Sequence, residues 1–595
     1  MARTPLLVAA ACSIAAVAAA QTTAPPTAAG QTAAAATHKH YEASPQATQP
    51  GPNGELAPRL QALGSHVFPV STRNADAQAF VNQGLNLAYA FNHAEARRAF
   101  REAARLDPNL AMAYWGQALV LGPNINAMME PNDEPHADEL VTKALSLREG
   151  ASPRERALIE ALDHRYSGKA DRRDADNQAY AAAMKAVHEQ FPDDLDIATL
   201  YVESMMDLRP WGYWMRDGQP HAGTSEIVAL TERVMERNPR HPGALHMYIH
   251  LMESVAPEKA ERAADALLPL MPDAGHMVHM PSHIYQRVGR YADAMKSNEL
   301  AVKADESYIS QCRAQGMYPM AYYPHNIHFL WFAASADGQS QAALDAARKV
   351  AAKIDDKALA EIPITAGFRV VPYWAMARFG RWDEILKERK PPAASAFLVG
   401  AWHYVRGLAF VAKGQLAAAD KELLALRRQM THPSLDGPMF SPNAGRAILG
   451  IAPHVLAGEI AAARGAYGTA ISALERAVRL DDALVYTEPT EFMFPPRLAL
   501  GAILLQAGRP DEAETVYWED LKRNRESGWS LFGLHQALVA QKKTADAAIV
   551  KARLDKAWAR ADVKLAASRF GRSPAAAKPA AAKPVAAKTG VAPAS

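Results

Sequence analysis

FVNQGLNLAYAFNHAEARRAFREAARLDP, residues 80–108, reads as two amphipathic helices joined by a short turn. With Ala77 as position 1 of a 34-residue unit, Phe80, Gly84, Leu87, Ala96, Phe100, Ala103 and Pro108 fall at positions 4, 8, 11, 20, 24, 27 and 32. The spacing has a physical cause. Large apolar residues at 4 and 11 share one face of the first helix. Small residues at 8 and 20 let the second helix approach closely, and proline at 32 stops it.

That arrangement is the tetratricopeptide repeat (TPR) pattern, and it recurs. AMAYWGQALVLG (111–122) opens another unit. RVGRYADAMKSNELAVKAD (287–305) closes a unit that begins near Gly275, and DGQSQAALDAARKVAAKI (337–354) one that begins near Pro324. FGRWDEIL, AKGQLAAADKELLAL, ARGAYGTAISALERAVRL and QAGRPDEAETVYWEDLKR mark further turns and second helices. About ten units result, well above the three or so that a stable stack needs. The expected fold is all-α: a TPR solenoid over residues 61–573, coiled as a right-handed superhelix with a concave inner surface. Two segments, 122–140 and 207–223, break the rhythm as loop insertions. The second holds Trp211, Tyr213 and Trp214, a small satellite core or a cap over a ligand.

The ends of the chain differ from its middle. MARTPLLVAAACSIAAVAAAQTT carries Arg3, an apolar run over 5–17 and small residues through Ala20, the pattern of a secretory signal peptide over 1–20. Residues 21–60 and 574–595 are poor in large apolar residues and are expected to be disordered, the latter as an Ala/Lys/Pro tail. Removal of the leader would leave Cys312 as the sole cysteine, so no intramolecular disulfide is expected, and the mature protein would be periplasmic or secreted. A net charge of +2 gives no case for nucleic acid as a partner, and no later run of apolar residues is long enough for a membrane span.

Chemistry concentrates in the histidines. Eight of the twenty lie between 241 and 328: His241, His246, His250, His276, His279, His283, His325 and His328. In the unit from Gly275, three of them take positions 2, 5 and 9; in the unit from Pro324, His325 and His328 take 2 and 5. Matching GALHMYIHLME to the same register puts His246, His250 and Glu253 at 5, 9 and 12. Positions 2, 5, 9 and 12 form one stripe of the first helix, the stripe that faces the groove in TPR proteins. The pattern therefore predicts a ladder of histidines across three successive helices, which pack roughly 8–10 Å apart. Pro281 puts one rung in question, since a helix starting there would leave His276 and His279 in the preceding loop.

Neutral imidazole is a common ligand for zinc, copper or iron, and pairs at i, i+4 such as His246/His250 and His279/His283 present two rings on one side. The candidate metal ligands of one transition ion are His246, His250, His279, His283, His325 and His328. The wider candidate groove adds Glu253, His276, Tyr285, Arg287 and Asn326. Three readings stay open: a metal site, a groove for a peptide, protein or small-molecule ligand, and plain packing. If the protein is a metal-dependent enzyme, Glu253 is the candidate general base on a metal-bound water. HExxH, GxSxG and GxxxxGK[ST] motifs are absent from the sequence.

The stretches AYWGQALVLGPN (113–124), ALHMYIHLMES (244–254), GHMVHMPSHIYQRVGRY (275–291) and YYPHNIHFLWFAA (322–334) together resemble a family of secreted bacterial TPR proteins. More distantly they are similar to the tetratricopeptide repeat protein 38-like family, which carries histidines on first helices, as in the His325–Asn326 pair. The resemblance spans about residues 75–360. It implies the TPR fold and secretion and assigns no activity.

Overall fold

The computed structural model describes residues 50–51, 54–312, 318–437, 439, 443–492 and 494–571. The expected leader at 1–20 and tail at 574–595 lie outside them, as does most of the expected linker.

The described residues form an all-α array of helical hairpins. In chain order the first half runs α1 (Ala75–Tyr89), α2 (His93–Leu106), α3 (Ala111–Leu119), α4 (Glu134–Ser146), α5 (Pro153–Asp163), α6 (Arg173–Gln190), α7 (Leu195–Asp207), α8 (Thr224–Arg237), α9 (Pro242–Met252) and α10 (Glu261–Leu267). The middle is α11 (Gly275–His279), α12 (Pro281–Val288), α13 (Tyr291–Cys312), α14 (Tyr323–Ala336) and α15 (Ser340–Ala351). Thirteen further helices continue to Ala557, ending with α26 (Pro510–Arg523), α27 (Gly528–Ala540) and α28 (Thr544–Ala557).

The packing is TPR-like because the signature residues do what their spacing implies. Gly84 on α1 and Gly116 on α3 both lie against the ring of Phe100 on α2, where any Cβ would collide with it. The same arrangement recurs near the other end, where Gly501 and Gly533 flank the ring of Tyr517 on α26. A small residue on each neighbouring helix makes room for one large ring between them.

Residues 54–60, assigned to a disordered linker by composition, pack onto the first hairpin. Gln83 Nε2 donates to the Pro58 carbonyl at 2.9 Å, Arg98 Nε to the Leu56 carbonyl at 3.1 Å, and Ala57 is buried. Side chains of α1 and α2 capture this backbone, a long-range effect that composition does not encode.

The C-terminal repeats fold back onto the middle of the chain. Tyr291 OH donates to the Arg525 carbonyl at 3.0 Å, Trp529 Nε1 to the Ser335 carbonyl at 3.1 Å, and Arg560 pairs with Asp337. Gly289 ends α12 with φ 85° and lies against the Arg525 backbone, so both its conformation and its space require glycine. α1 likewise approaches α9, with the Tyr89 carbonyl at 2.6 Å from His246 Nδ1. One helical stretch among the described residues, Gly445–Ala463, is long and apolar enough to cross a membrane by length and composition alone; 67% of it is buried within the protein.

Candidate metal centre

Most of the histidine ladder is enclosed, with His325 and His328 half-buried. His246, His250, Glu253, His276, His279 and His283 are all 0–3% exposed, where an open concave groove was expected. Pro281 does not break the ladder. Met280 keeps helical angles (φ −51°, ψ −38°) between α11 and α12, so His276, His279 and His283 stay on one continuous face. His246 and His250 come from α9, and His325 comes from α14.

The hydrogen bonds fix the tautomers. His246 Nδ1 donates to the Tyr89 carbonyl at 2.6 Å, because a carbonyl can only accept. His279 Nδ1 donates to Asn298 Oδ1 at 2.7 Å, and the Asn298 amide is itself oriented by donating to the Ala294 carbonyl. Both rings therefore turn a bare Nε2 lone pair inward. The Nε2 of His246 lies 3.1 Å from that of His250, and the Nε2 of His279 lies 2.8 Å from that of His283. On the far sides of the second rings, Glu253 faces His250 Nδ1 at 3.3 Å with Oε1 and accepts from His283 Nδ1 at 2.7 Å with Oε2. Glu488 also pairs with His283 Nδ1.

Electrostatics keeps most of these rings neutral. Burial pushes His246 down to about 3, and takes His250, His276, His279 and His325 well below the ordinary imidazole value. His283 is the exception. Burial would lower it, but Glu488 and Glu253 raise it to about 10. Glu253 is raised well above the usual carboxylate range, by burial first and by Glu488 second. Two buried carboxyl groups thus meet at the one charged ring, His283, while the other rings are held as neutral nitrogen donors, the form a metal ion needs.

Ring nitrogens of His246, His250 and His276 lie within 4.8 Å of one another, as do those of His279, His283 and His325. His250, Glu253 and His283 form a third set at the same spacing. Neither ring nitrogen of the buried His276 has a hydrogen-bond partner among the described residues.

Aromatic residues wall the cluster. Phe91 stacks on His276 at 5.5 Å and tilts against His246 at 4.5 Å, and Trp211 meets His250 edge-on at 5.0 Å. Both hold positive φ, 55° and 63°, which is rare for aromatic residues and is sustained only by surrounding contacts. Phe329 stacks on His283 at 5.0 Å, and Tyr322 meets His276 edge-on at 4.9 Å. The two loop insertions meet at this wall, where Trp211 Nε1 donates to the Ile125 carbonyl at 2.9 Å. Of the aromatic triplet, Trp211 caps the histidines and Tyr213 joins the core, while Trp214 Nε1 bonds the Leu251 carbonyl at 2.7 Å.

Several expected site residues point elsewhere. His328 stacks on Trp331 at 5.4 Å and meets Phe368 at 5.5 Å. At about 100° per residue it is turned about 60° from His325, whereas Phe329 stays within about 40° and faces the cluster. Tyr285 OH bonds Asp265 at 2.8 Å, outside the cluster. Asn326 Nδ2 donates to Asp305 Oδ2 at 2.7 Å. Arg287 Nε donates to the Glu253 carbonyl at 3.1 Å, bracing the end of α9 without reaching the rings. Glu253, the candidate general base, faces two imidazoles, His250 Nδ1 at 3.3 Å and His283 Nδ1 at 2.7 Å.

Glu488, Asn298, Phe91 and the Tyr89 carbonyl had no sequence signal. Each comes from outside the repeat unit that carries its histidine partner or from a helix with no histidine stripe. A further set, His66, Asp196 and His241, also meets ligand spacing but is explained without a metal. His241 Nδ1 accepts from the Ala244 amide, so its Nε2 carries the proton facing Asp196 Oδ1 at 3.2 Å. The same oxygen takes Tyr89 OH at 2.9 Å and His66 Nε2 at 2.8 Å.

No family model matches the chain, and no curated protein matches it. Among solved structures it is similar to the APC/C Cut9–Hcn1 hetero-tetramer (12% identity, 82% of this chain and 76% of that one, TM-score 0.27). It is also similar to the human IFIT1 dimer with m7Gppp-AAAA (10%, 82% and 90%, TM-score 0.29) and to yeast Tom70 (14%, 80% and 90%, TM-score 0.24). At these TM-scores the likenesses carry no argument about the site.

Proposed function

We propose that this protein is an exported, TPR-like solenoid whose buried histidines bind a first-row transition metal. The observation that carries the reading is the inward convergence of imidazole Nε2 atoms whose Nδ1 atoms are held by a carbonyl, an amide oxygen and carboxylates. Metal-binding histidines are commonly supported this way, the outer acceptor fixing the tautomer and strengthening the donor. Imidazole-rich donor sets suit zinc, copper, iron and nickel. Three-histidine coordination leaves a position for water or substrate, so metal-dependent catalysis belongs to this reading.

The test is metal analysis of the full chain, purified without a histidine tag and dialysed against a weak chelator. Near-stoichiometric metal that falls in a His279→Ala, His283→Ala variant supports the proposal. A folded, metal-free protein that takes up no zinc, copper or iron on titration contradicts it.

The repeat architecture favours a second reading, an interaction module that binds a peptide, protein or small molecule on its solvent-facing surface. TPR-like hairpin arrays present such surfaces. The two readings are compatible, with the metal stabilising the scaffold that presents the surface.

A further inference from the structure

We infer that the histidine core holds two metal ions in adjoining sites, one built by His246, His250 and His276 and the other by His279, His283 and His325. The inference rests on the metal reading above and adds its nuclearity.

The position of Glu253 divides the donors. Its Oε1 faces one ring, His250, and its Oε2 the other, His283, in both cases at Nδ1. In an imidazole, Nδ1 and Nε2 lie on opposite sides of the ring. The two Nε2 atoms therefore diverge from Glu253, one toward His246 and one toward His279. Two foci result, each with a pair of converging nitrogens.

Each focus has a third histidine. His276 approaches the first, with its ring centroid 4.9 Å from that of His246. His325 approaches the second, 4.8 Å from His279. Within each set the donor nitrogens lie within 4.8 Å of one another. His276, buried with no hydrogen-bond partner for either nitrogen among the described residues, is otherwise a costly residue to enclose. The sets adjoin: His250 and His283 have ring centroids 5.8 Å apart, and His276 and His279 6.0 Å.

The competing arrangement is a single ion held by Glu253 with His250 and His283 through Nδ1. There His246 and His279 become outer acceptors, and His276 and His325 have no part. The two-ion arrangement uses all six histidines: His246 and His279 offer bare Nε2 lone pairs, and His250 and His283 give up their inward Nε2 protons when an ion binds. It gives both Glu253 and Glu488 a role as outer acceptors on His283.

The deciding experiment is cobalt(II) and zinc(II) loading of the apo full chain, counted by plasma mass spectrometry. It uses the wild type, a His246→Ala, His276→Ala variant, a His279→Ala, His325→Ala variant and a Glu253→Gln variant. Two ions per wild-type chain are expected, and one in each histidine variant. Electron paramagnetic resonance of the copper(II)-loaded wild type should show coupling between the ions that is absent from both histidine variants. One ion per wild-type chain, kept by both histidine variants and lost in Glu253→Gln, would overturn the two-ion arrangement while leaving metal binding standing. No ion at all in a folded wild type would overturn both. Because the wild-type count needs no variant, a misfolded variant cannot mask the answer.

Discussion

His279 and His283, one helical turn apart, hold their Nε2 atoms 2.8 Å from each other while their Nδ1 atoms bond Asn298 and Glu253 on opposite sides. The i, i+4 spacing brings the rings together, and the outer acceptors decide which nitrogens face inward. Everything inferred about the site follows from that ordering.

Glu253 acts on the metal through the rings it orients. Glu253→Gln keeps an acceptor oxygen but removes the charge, so metal affinity should fall by about 10–100-fold while the number of ions bound at saturation is unchanged. Competition titration against a chromophoric chelator reads this directly. An unchanged affinity would remove Glu253 from the supporting shell, and a lost ion would make it a ligand.

Phe91 tests the wall. Alanine at 91 would keep the same positive φ, so the backbone strain stays and the change reports packing alone. Loss of the ring against His246, His250 and His276 should destabilise the N-terminal half by about 3 kcal/mol. A urea midpoint for the Phe91→Ala apoprotein within error of wild type would show that the histidines do not depend on this ring.

Asp305 gives a pH signature. Burial raises its carboxyl to about 7, partly offset by hydrogen bonds from Tyr318 OH and Asn326 Nδ2. The folded state therefore binds a proton that the unfolded chain releases near about 4. Stability from this group falls as pH rises from about 4 to about 7, and is flat above. The melting temperature of wild type minus that of Asp305→Asn should decrease across that window. A difference independent of pH between 5 and 8 would contradict the assignment.

The set at Asp196 serves as the internal control. Because His241 turns a proton rather than a lone pair toward Asp196, a His66→Ala, His241→Ala variant should retain the wild-type metal content while losing stability. Metal lost in that variant, with the helical signal intact, would show that hydrogen-bond ordering does not separate structural from ligating histidines here.

The hairpin array was legible because Gly84, Phe100 and Pro108 recur at fixed spacing, and spacing along a helix is local information. The inward stripe was legible for the same reason: positions 5 and 9 give His246, His250, His279 and His283, and position 2 gives His276 and His325, so one register accounts for all six clustered histidines. His328 failed because a stripe three residues wide still rotates, and Trp331 and Phe368 took it. Enclosure was not legible. It depends on Glu488 reaching a ring more than two hundred residues away, and on α1 meeting α9 through the Tyr89 carbonyl. Neither contact leaves a periodic mark in the chain. Tyr285 and Arg287 were misplaced for a related reason, since Asp265 and the Glu253 carbonyl offered them nearer partners.

The most direct test of histidine ligation is X-ray absorption spectroscopy at the metal edge of the loaded full chain. The account predicts nitrogen scatterers at about 2.0–2.1 Å and the outer-shell multiple scattering of imidazole, with about three histidines per ion. A first shell of oxygen alone, with no imidazole signature, would contradict it.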